Sequence, residues 1–547
     1  MSFYWQKYCS LSNMTISNNK WWQTGIIYQV YPRSFQDSNG DGIGDLKGVL
    51  QRLDHLQWLG IEAIWLSPIY PSPMADFGYD ISDYTGIHPL FGSMEDFDAL
   101  LQAAHERGIK ILLDFVPNHT SDQHPWFLES RSSRTNPKRD WYIWKDACQD
   151  GSLPNNWLCV FGGNAWEWDE NTQQYYYHAF LKEQPDLNWR NPEVETAMLN
   201  VMRYWLKKGV DGFRVDVLWY VIKDSQFRDN LPNPDYGDHM PDFEQLLQTY
   251  STEQPEVHDI ARKMRNVLEE YDDERVLIAE VYLPLQQLMA YYGTDQKEAH
   301  LPFNFQLLSL PWNAKQIATA IETYEAALPA TGWPNWVLSN HDRPRIATRA
   351  GYQQAKIAAM LLLTLRGTPT IYYGDEIGMQ DVLIPLDEIQ DPQGLNMPGK
   401  DLSRDPSRTP MQWDDTQHAG FTTGKPWLRL SENYAHINVA AEKEDPHSIL
   451  SLYRRLIHLR KNEPALAAGE YTTVHADDQM LAFTRSLEGA PLFLIVLNLT
   501  AQPCQFKLFN FSLKGIVEIA TAPEIEGSMV SDEIHLNGNE GLLIRLA

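Results

Sequence analysis

Residues 194–217 read VETAMLNVMRYWLKKGVDGFRVDV, and the period of the apolar residues changes in the middle. From 194 to 209 apolar side chains return at helical spacing, and Gly209 is a natural stop. From 210 to 217 the run is compact and apolar, as in a strand buried on both faces. The stretch is one helix feeding one strand. Strand-like runs of the same texture recur at 26–35, 61–69, 109–119, 276–282, 301–307, 336–342 and 368–378. Helical patterns alternate with them at 46–60, 94–108, 256–271, 285–292, 314–327, 352–366 and 447–461. In the first of these, Leu50, Leu53, Leu56 and Leu59 form the apolar stripe and Gly60 the stop. Eight strand–helix units in order predict an α/β fold of the (β/α)8 TIM-barrel type, in preference to an open doubly wound sheet.

Two connections are too long for simple barrel loops: about 120–192, rich in Trp, Tyr, Asn and Gly, and about 379–446. The last eighty residues change to short strands separated by turns. The expected organisation is an N-terminal extension (1–20), a catalytic barrel (21–119 and 187–467, with the insertion at 379–446), an inserted domain (120–186), and a C-terminal antiparallel β domain (468–547).

The 547 residues carry 45 Lys and Arg against 72 Asp and Glu, a net charge of −27. Such a chain repels phosphate backbones and anionic lipid, which argues against nucleic acid and a membrane surface as partners. Cys9, Cys148, Cys159 and Cys504 are too few for a disulfide framework and lack zinc spacing. Cys148 and Cys159 could pair, but free thiols are the expectation. The first twenty residues lack an apolar core run, and the longest apolar stretch, Ile357–Leu363, is far too short to span a bilayer. A cytoplasmic protein is expected, with Met1 or Met14 as its start.

Polar residues gather at the C-terminal ends of the expected strands, where barrel enzymes keep their sites. They are Tyr79 and Asp80, then Asp114, Asn118 and His119, then Arg214 and Asp216, then Glu280, and finally His341 and Asp342. Each alone reads as a helix cap or a satisfied core residue. Several acids on one rim read as chemistry. Paired carboxylates suit glycosidic bond cleavage, one ionised and the other protonated. Arg214 and Asp216 lie two apart on a strand, so they share a face and Arg214 can hold Asp216 ionised. Glu280 sits among Ile278, Ala279 and Val281, which favours its protonated form.

The words DFVPNH, GFRVDV, IAEVY and SNHD, in this order, resemble the signature regions of the α-amylase superfamily of glycoside hydrolases (family 13). GYDISDY, FGGNAWEW (161–168), QPDLNW (184–189) and RTPMQWD (408–414) are similar to its α-glucosidase and oligo-1,6-glucosidase branch. The resemblance runs from about Trp21 to the end. It implies Asp216 as nucleophile, Glu280 as general acid and base, and Asp342 as transition-state stabiliser. It implies His119 and His341 as hydrogen-bond partners of the first glucose and Tyr79 as its stacking platform. Asp80 and Arg408 are expected to grip the non-reducing end. Phe161 is expected either on the wall near the scissile bond or simply packed. Val217, after the nucleophile, leaves both α-1,4 and α-1,6 linkages open.

The implied activity is release of terminal α-linked glucose from short oligosaccharides or α-glucosides. Transfer or isomerisation of the glucosyl group is the alternative, and a catalytically dead binding module is the outsider. The loop Asp37-Ser-Asn39-Gly-Asp41-Gly-Ile43-Gly-Asp45 sets oxygen donors at alternating positions around glycines. It resembles the branch's cation loop, which implies a structural Ca2+ or Mg2+ held by Asp37, Asn39, Asp41, Asp45 and the Ile43 carbonyl.

Overall fold

The computed structural model describes residues 19–271, 274–295, 297–507, 514–531 and 533–547. Cys9 and nearly all of the expected N-terminal extension lie outside the described residues. Eight parallel strands form the central sheet: β1 (Ile27–Val30), β2 (Ala63–Leu66), β3 (Lys110–Phe115), β4 (Gly212–Val215), β5 (Val276–Ala279), β6 (Leu301–Pro302), β7 (Asn335–Val337) and β8 (Thr368–Tyr372). Their spatial order is β7-β8-β1-β2-β3-β4-β5-β6. A parallel bridge between Asn304 and Trp336 joins the β6 side to β7 and brings the sheet round into a barrel. Each strand falls within a run read from sequence except β7, which begins one residue before the run at 336–342.

The helices also fall where periodicity placed them, among them Pro192–Lys208, Ala314–Ala327 and Ile449–Asn462. Gly60 and Gly209 end their helices in the left-handed conformation, at φ 97° and 104°. One difference is local. The helix expected over 46–60 divides into Leu46–Gln51 and Leu53–Leu59 at Arg52. That side chain leaves the helix to donate to Gln36 Oε1 at 2.7 Å and to lie 4.2 Å over the Trp413 ring.

Alternate residues of the strands point into the barrel. Ile27, Ala63, Trp65, Leu112, Val276, Ile278 and Val337 pack there with Phe303 and Phe305. The same parity continues upward to Asp114, Arg214, Asp216 and Glu280, so the register that fills the barrel also aims the site. Asp114 pairs with Arg214, and Arg214 with Ile278, across adjacent strands.

The connection after β3 carries a small three-stranded antiparallel sheet (Trp144–Lys145, Trp166–Asp169, Gln174–Tyr177). At the C-terminal end, β9 (Glu470–Ala476), β10 (Met480–Ser486), β11 (Phe493–Asn498), β12 (Cys504–Lys507), β13 (Gly515–Ala520), β14 (Met529–Val530), β15 (Glu533–Leu536) and β16 (Gly541–Leu546) build a six-stranded sheet, β9-β10-β11-β16-β13-β14, and a β12-β15 pair. Buried Arg485 on β10 reaches out of this sheet to the carbonyls of Thr364, Leu466 and Gly469. Buried Arg460, on the helix Ile449–Asn462, donates likewise to the carbonyls of Leu363, Leu365 and Leu466. Cys148, Cys159 and Cys504 are free thiols. Among the described residues no helix is long and apolar enough to cross a membrane.

Candidate active site

A cavity of about 710 Å³ opens at the C-terminal end of the barrel, within the range usual for small-ligand sites. Of the residues singled out in the sequence, Tyr79, His119, Phe161, Asp216, Glu280, His341 and Asp342 line it. Arg214 lies just beneath, 1% exposed, and organises the floor. Its Nη1 donates to Asp114 Oδ1 at 2.8 Å and to Asp216 Oδ1 at 2.6 Å. Its Nη2 stands 2.7 Å from Glu280 Oε2. Three carboxylates share one guanidinium.

That arrangement fixes which oxygens are free. Asp216 Oδ1 is taken by Arg214, which leaves Oδ2 for the cavity. Glu280 Oε2 receives Arg214 and the Val217 N–H at 2.9 Å, both donors, so a proton on Glu280 belongs on Oε1. Val217 presents its N–H from the left-handed region, φ 36°, a strained position for a β-branched residue. Burial pushes the Asp216 carboxyl up; Arg214 opposes this, and the charges of Glu280 and Asp114 add to it. Glu280 is likewise raised by burial, against Arg214 and with Asp342. Two such neighbours hold a proton between them where isolated carboxyls would not.

Asp342 behaves oppositely. Burial disfavours its charge, but His341, Arg404 and Arg408 outweigh burial and hold it well below the usual carboxylate range. Arg408 Nη2 and Arg404 Nη1 both reach Oδ1, at 3.0 and 3.3 Å. Burial pulls His341 down to about 3, which the charge of Asp342 opposes. Its Nδ1 meets Gln29 Nε2 at 2.8 Å and its Nε2 meets the Tyr79 hydroxyl at 2.7 Å. The Tyr79 ring stacks on His341, and its hydroxyl donates to Asp114 Oδ2 at 3.0 Å. His119 is also held at about 3 by burial, with Gln184 Nε2 at 3.1 Å from its Nε2. Phe161 lies on the wall, with the Arg404 guanidinium 4.9 Å from its ring centroid.

Two expectations are corrected. Asp80 does not line the cavity; it is fully buried, and its oxygens accept from Ser72 Oγ and the N–H groups of Ala75 and Asp76. Arg408 does not line it either, being spent on the His341 carbonyl and Asp342. The cavity instead receives Asp76 and Arg404, joined at 2.7 Å. Arg404 also grips Asp391. Both sit four residues upstream of the expected pair, inside or beside the same words. Gln184, Phe180 and Tyr282 are further lining residues that the sequence reading left out.

The loop 37–45 offers only oxygen donors, the chemistry of a hard divalent cation. Its carboxylates are turned onto nearby donors. Asp37 accepts from the amides of Asn39, Gly40 and Gly42 and from Thr422 Oγ1; Asp45 accepts from Ser38 and from Gly48 N. Asn39 and Asp41 accept from the amides of Asp41 and Ile43. Gly42, at φ 90°, passes so close to the Lys425 carbonyl that a Cβ would stand 1.8 Å from its oxygen. Among the described residues no three His, Cys, Asp or Glu side chains converge to hold an ion.

A parallel barrel with a buried acid–guanidinium cluster at its C-terminal rim defines a class of barrel enzymes acting on small polar ligands. The chain belongs to the α-amylase family: residues 29–469 match the model of the alpha-amylase catalytic domain. It is similar to the alpha-glucosidase of Apis mellifera, 44% identical over 498 residues, covering 89% of this chain and 87% of the relative. It is similar to the oligo-1,6-glucosidase of Parageobacillus thermoglucosidasius, 40% identical over 525 residues, covering 89% and 92%. Among solved structures it resembles the alpha-glucosyl transfer enzyme XgtA (TM-score 0.91, 39% identity, 97% of this chain and 100% of that one). It also resembles the trehalulose synthase MutB of Pseudomonas mesoacidophila (TM-score 0.90, 37% identity, 97% and 100%).

Proposed function

We propose that the chain is an exo-acting, retaining α-glucosidase acting on short oligosaccharides or α-glucosides. The observation that carries this reading is the floor of the cavity, where Arg214 leaves Asp216 Oδ2 and Glu280 Oε1 free toward one space. Asp216 Oδ2 attacks the anomeric carbon while Glu280 gives its proton to the departing glycosidic oxygen. Glu280, now a carboxylate, takes a proton from water, whose oxygen displaces Asp216. Asp342, kept ionised, offsets the positive charge that develops on the sugar ring. Asp76 and Arg404 close one wall, which suits removal of a terminal unit. The test is glucose release from maltose, isomaltose, sucrose and an aryl α-glucoside, with the anomer of the first product read by NMR. No release from any of them overturns the proposal, and a first product of inverted configuration overturns the retaining mechanism.

A second reading is supported by the likeness to XgtA and MutB: a sugar hydroxyl in place of water attacks the intermediate. Product analysis at high substrate concentration separates the two. We propose in addition that loop 37–45 takes a structural Ca2+ or Mg2+, on the strength of its donor chemistry alone.

A further inference from the structure

Three excursions from the barrel meet over the cavity: the connection after β3, residues 221–253, and residues 379–446. The first two are tied together. Asn155 Nδ2 donates to the Phe227 carbonyl at 3.1 Å, and Trp157 Nε1 to the Arg228 carbonyl at 2.8 Å. The third is pinned to its surroundings at three points within eight residues. Met397 is seated on Gly162, where a Cβ would stand 2.9 Å from Met397 Cγ. Arg404 is held by Asp76 and Asp391. Between them, Lys400 Nζ donates to Asp242 Oδ1 at 2.5 Å, the Met240 carbonyl at 2.8 Å and the Tyr236 hydroxyl at 3.2 Å. All three ammonium protons go to one short segment of the second excursion.

The residues that follow Lys400 (Asp401, Leu402 and Ser403) line the cavity, and so do Pro241, Phe243 and Glu244 around Asp242. Lys400 and Asp242 themselves do not. The chain turns sharply just after the lysine, with Asp401 at φ 52°. Lys400 therefore sets the distance between two walls without touching their contents. The side chains of Lys400 and Asp242 are 20% and 36% exposed, so the contact is weak in stability and screened by salt. A contact of that kind selects a loop position more than it holds a fold.

We infer that Lys400 is a specificity-determining positioning residue: its clasp on 236–242 limits the length of sugar chain that can extend from the reacting glucose. The inference rests on the α-glucosidase reading. Its test uses the full chain carrying Lys400→Ala, Lys400→Arg or Asp242→Asn. Kinetics are measured on an aryl α-glucoside and on the maltose-to-maltopentaose and isomaltose-to-isomaltotriose series. For Lys400→Ala, kcat/KM on the longest substrate relative to the disaccharide should rise about five-fold, carried by KM, with the aryl glucoside little changed. Asp242→Asn should move the ratio the same way, and Lys400→Arg should restore it. Raising salt should move the native ratio in the same direction. An unchanged ratio in both Lys400→Ala and Asp242→Asn overturns the clasp; if Lys400→Ala does not fold, an unchanged ratio in Asp242→Asn overturns it alone. A native chain that cleaves no α-glucoside overturns the underlying activity instead, so the two failures are distinct.

Discussion

Arg404 Nη2 donates to Asp76 Oδ1 at 2.7 Å across 328 residues of sequence. The pair joins the loop after β2 to the insertion after β8 and forms part of the cavity wall, while Nη1 of the same arginine supports Asp342. One side chain thus links the recognition of a ligand to the charge that stabilises its reaction.

Removing that arginine leaves Asp76 and Asp391 buried beside an empty space. Breaking a buried pair in this way costs about 3–5 kcal/mol of stability, so Arg404→Ala should lower Tm, and because it also removes a cavity-wall group and a partner of Asp342 it should lower kcat/KM on a disaccharide by roughly 10²-fold. Asp76→Asn, which keeps an oxygen to accept from Arg404 while Asp391 still pairs with the guanidinium, should lower kcat/KM with little change in Tm. Asp80→Asn should do the reverse, because an amide group cannot accept all three bonds that Asp80 accepts. Steady-state kinetics and thermal melts on the same preparations check the contrast.

Asp216→Ala and Glu280→Ala should each reduce turnover by about 10³–10⁵-fold without loss of fold. Azide separates their roles. It should rescue Glu280→Ala as the α-glucosyl azide, by attack on the covalent intermediate, and Asp216→Ala as the β-glucosyl azide, by direct attack. The same azide anomer from both variants would falsify the assignment.

The pH profile follows from the shared proton. As pH falls, the Asp216–Glu280 pair takes a second proton and the nucleophile is lost; as pH rises, the pair loses its proton and the acid is lost. Since burial raises both groups, the alkaline limb belongs above the ordinary glutamate range. With a dinitrophenyl α-glucoside, whose leaving group needs no acid, Glu280→Gln should keep a fast burst of dinitrophenolate that lacks the alkaline limb, followed by slow turnover because the water then has no base.

Stability should carry a pH slope of its own. Burial, with the charge of Glu376 adding to it, lifts Glu442 to about 8, although the Leu450 amide opposes the shift. The folded chain then keeps a proton that the unfolded chain releases near its ordinary value. Stability from this group is full below the unfolded pKa and declines as pH rises toward 8. Glu442→Gln should flatten the decline of Tm between pH 5 and 8, roughly the interval between the two values. An unchanged slope would remove Glu442 as its source.

Chelation tests the loop 37–45. If it holds a structural cation, EDTA should lower Tm, added Ca2+ or Mg2+ should restore it, and Asp41→Ala should abolish the response. Identical melts with and without chelator would show that the loop's own hydrogen bonds suffice.

Much of this was legible in the sequence because a barrel imposes periods. The eight strands are apolar runs buried on both faces, and Gly60 and Gly209 mark true helix ends. Arg214, Asp216 and Glu280 continue the inward parity of residues that fill the barrel, so strand period alone aims them correctly. Loops carry no such period. Asp76 and Asp80 belong to one short segment, and only the turn that wraps Ser72, Ala75 and Asp76 around Asp80 decides which carboxylate faces the cavity. The same holds for Arg404 and Arg408. The break at Arg52 was hidden because the partners of its side chain, Gln36 and Trp413, come from elsewhere in the fold.

Arg485 has a consequence for how the molecule can be altered. It stands on the second strand of the C-terminal sheet, yet its guanidinium serves as the polar plug for the carbonyl of Thr364 at the end of a barrel helix and for those of Leu466 and Gly469 in and just after the short helix Pro464–Ala468. Deleting that sheet would uncork those carbonyls. The C-terminal sheet is therefore no appendage to be trimmed or exchanged: the barrel's own backbone is finished by a side chain from outside it.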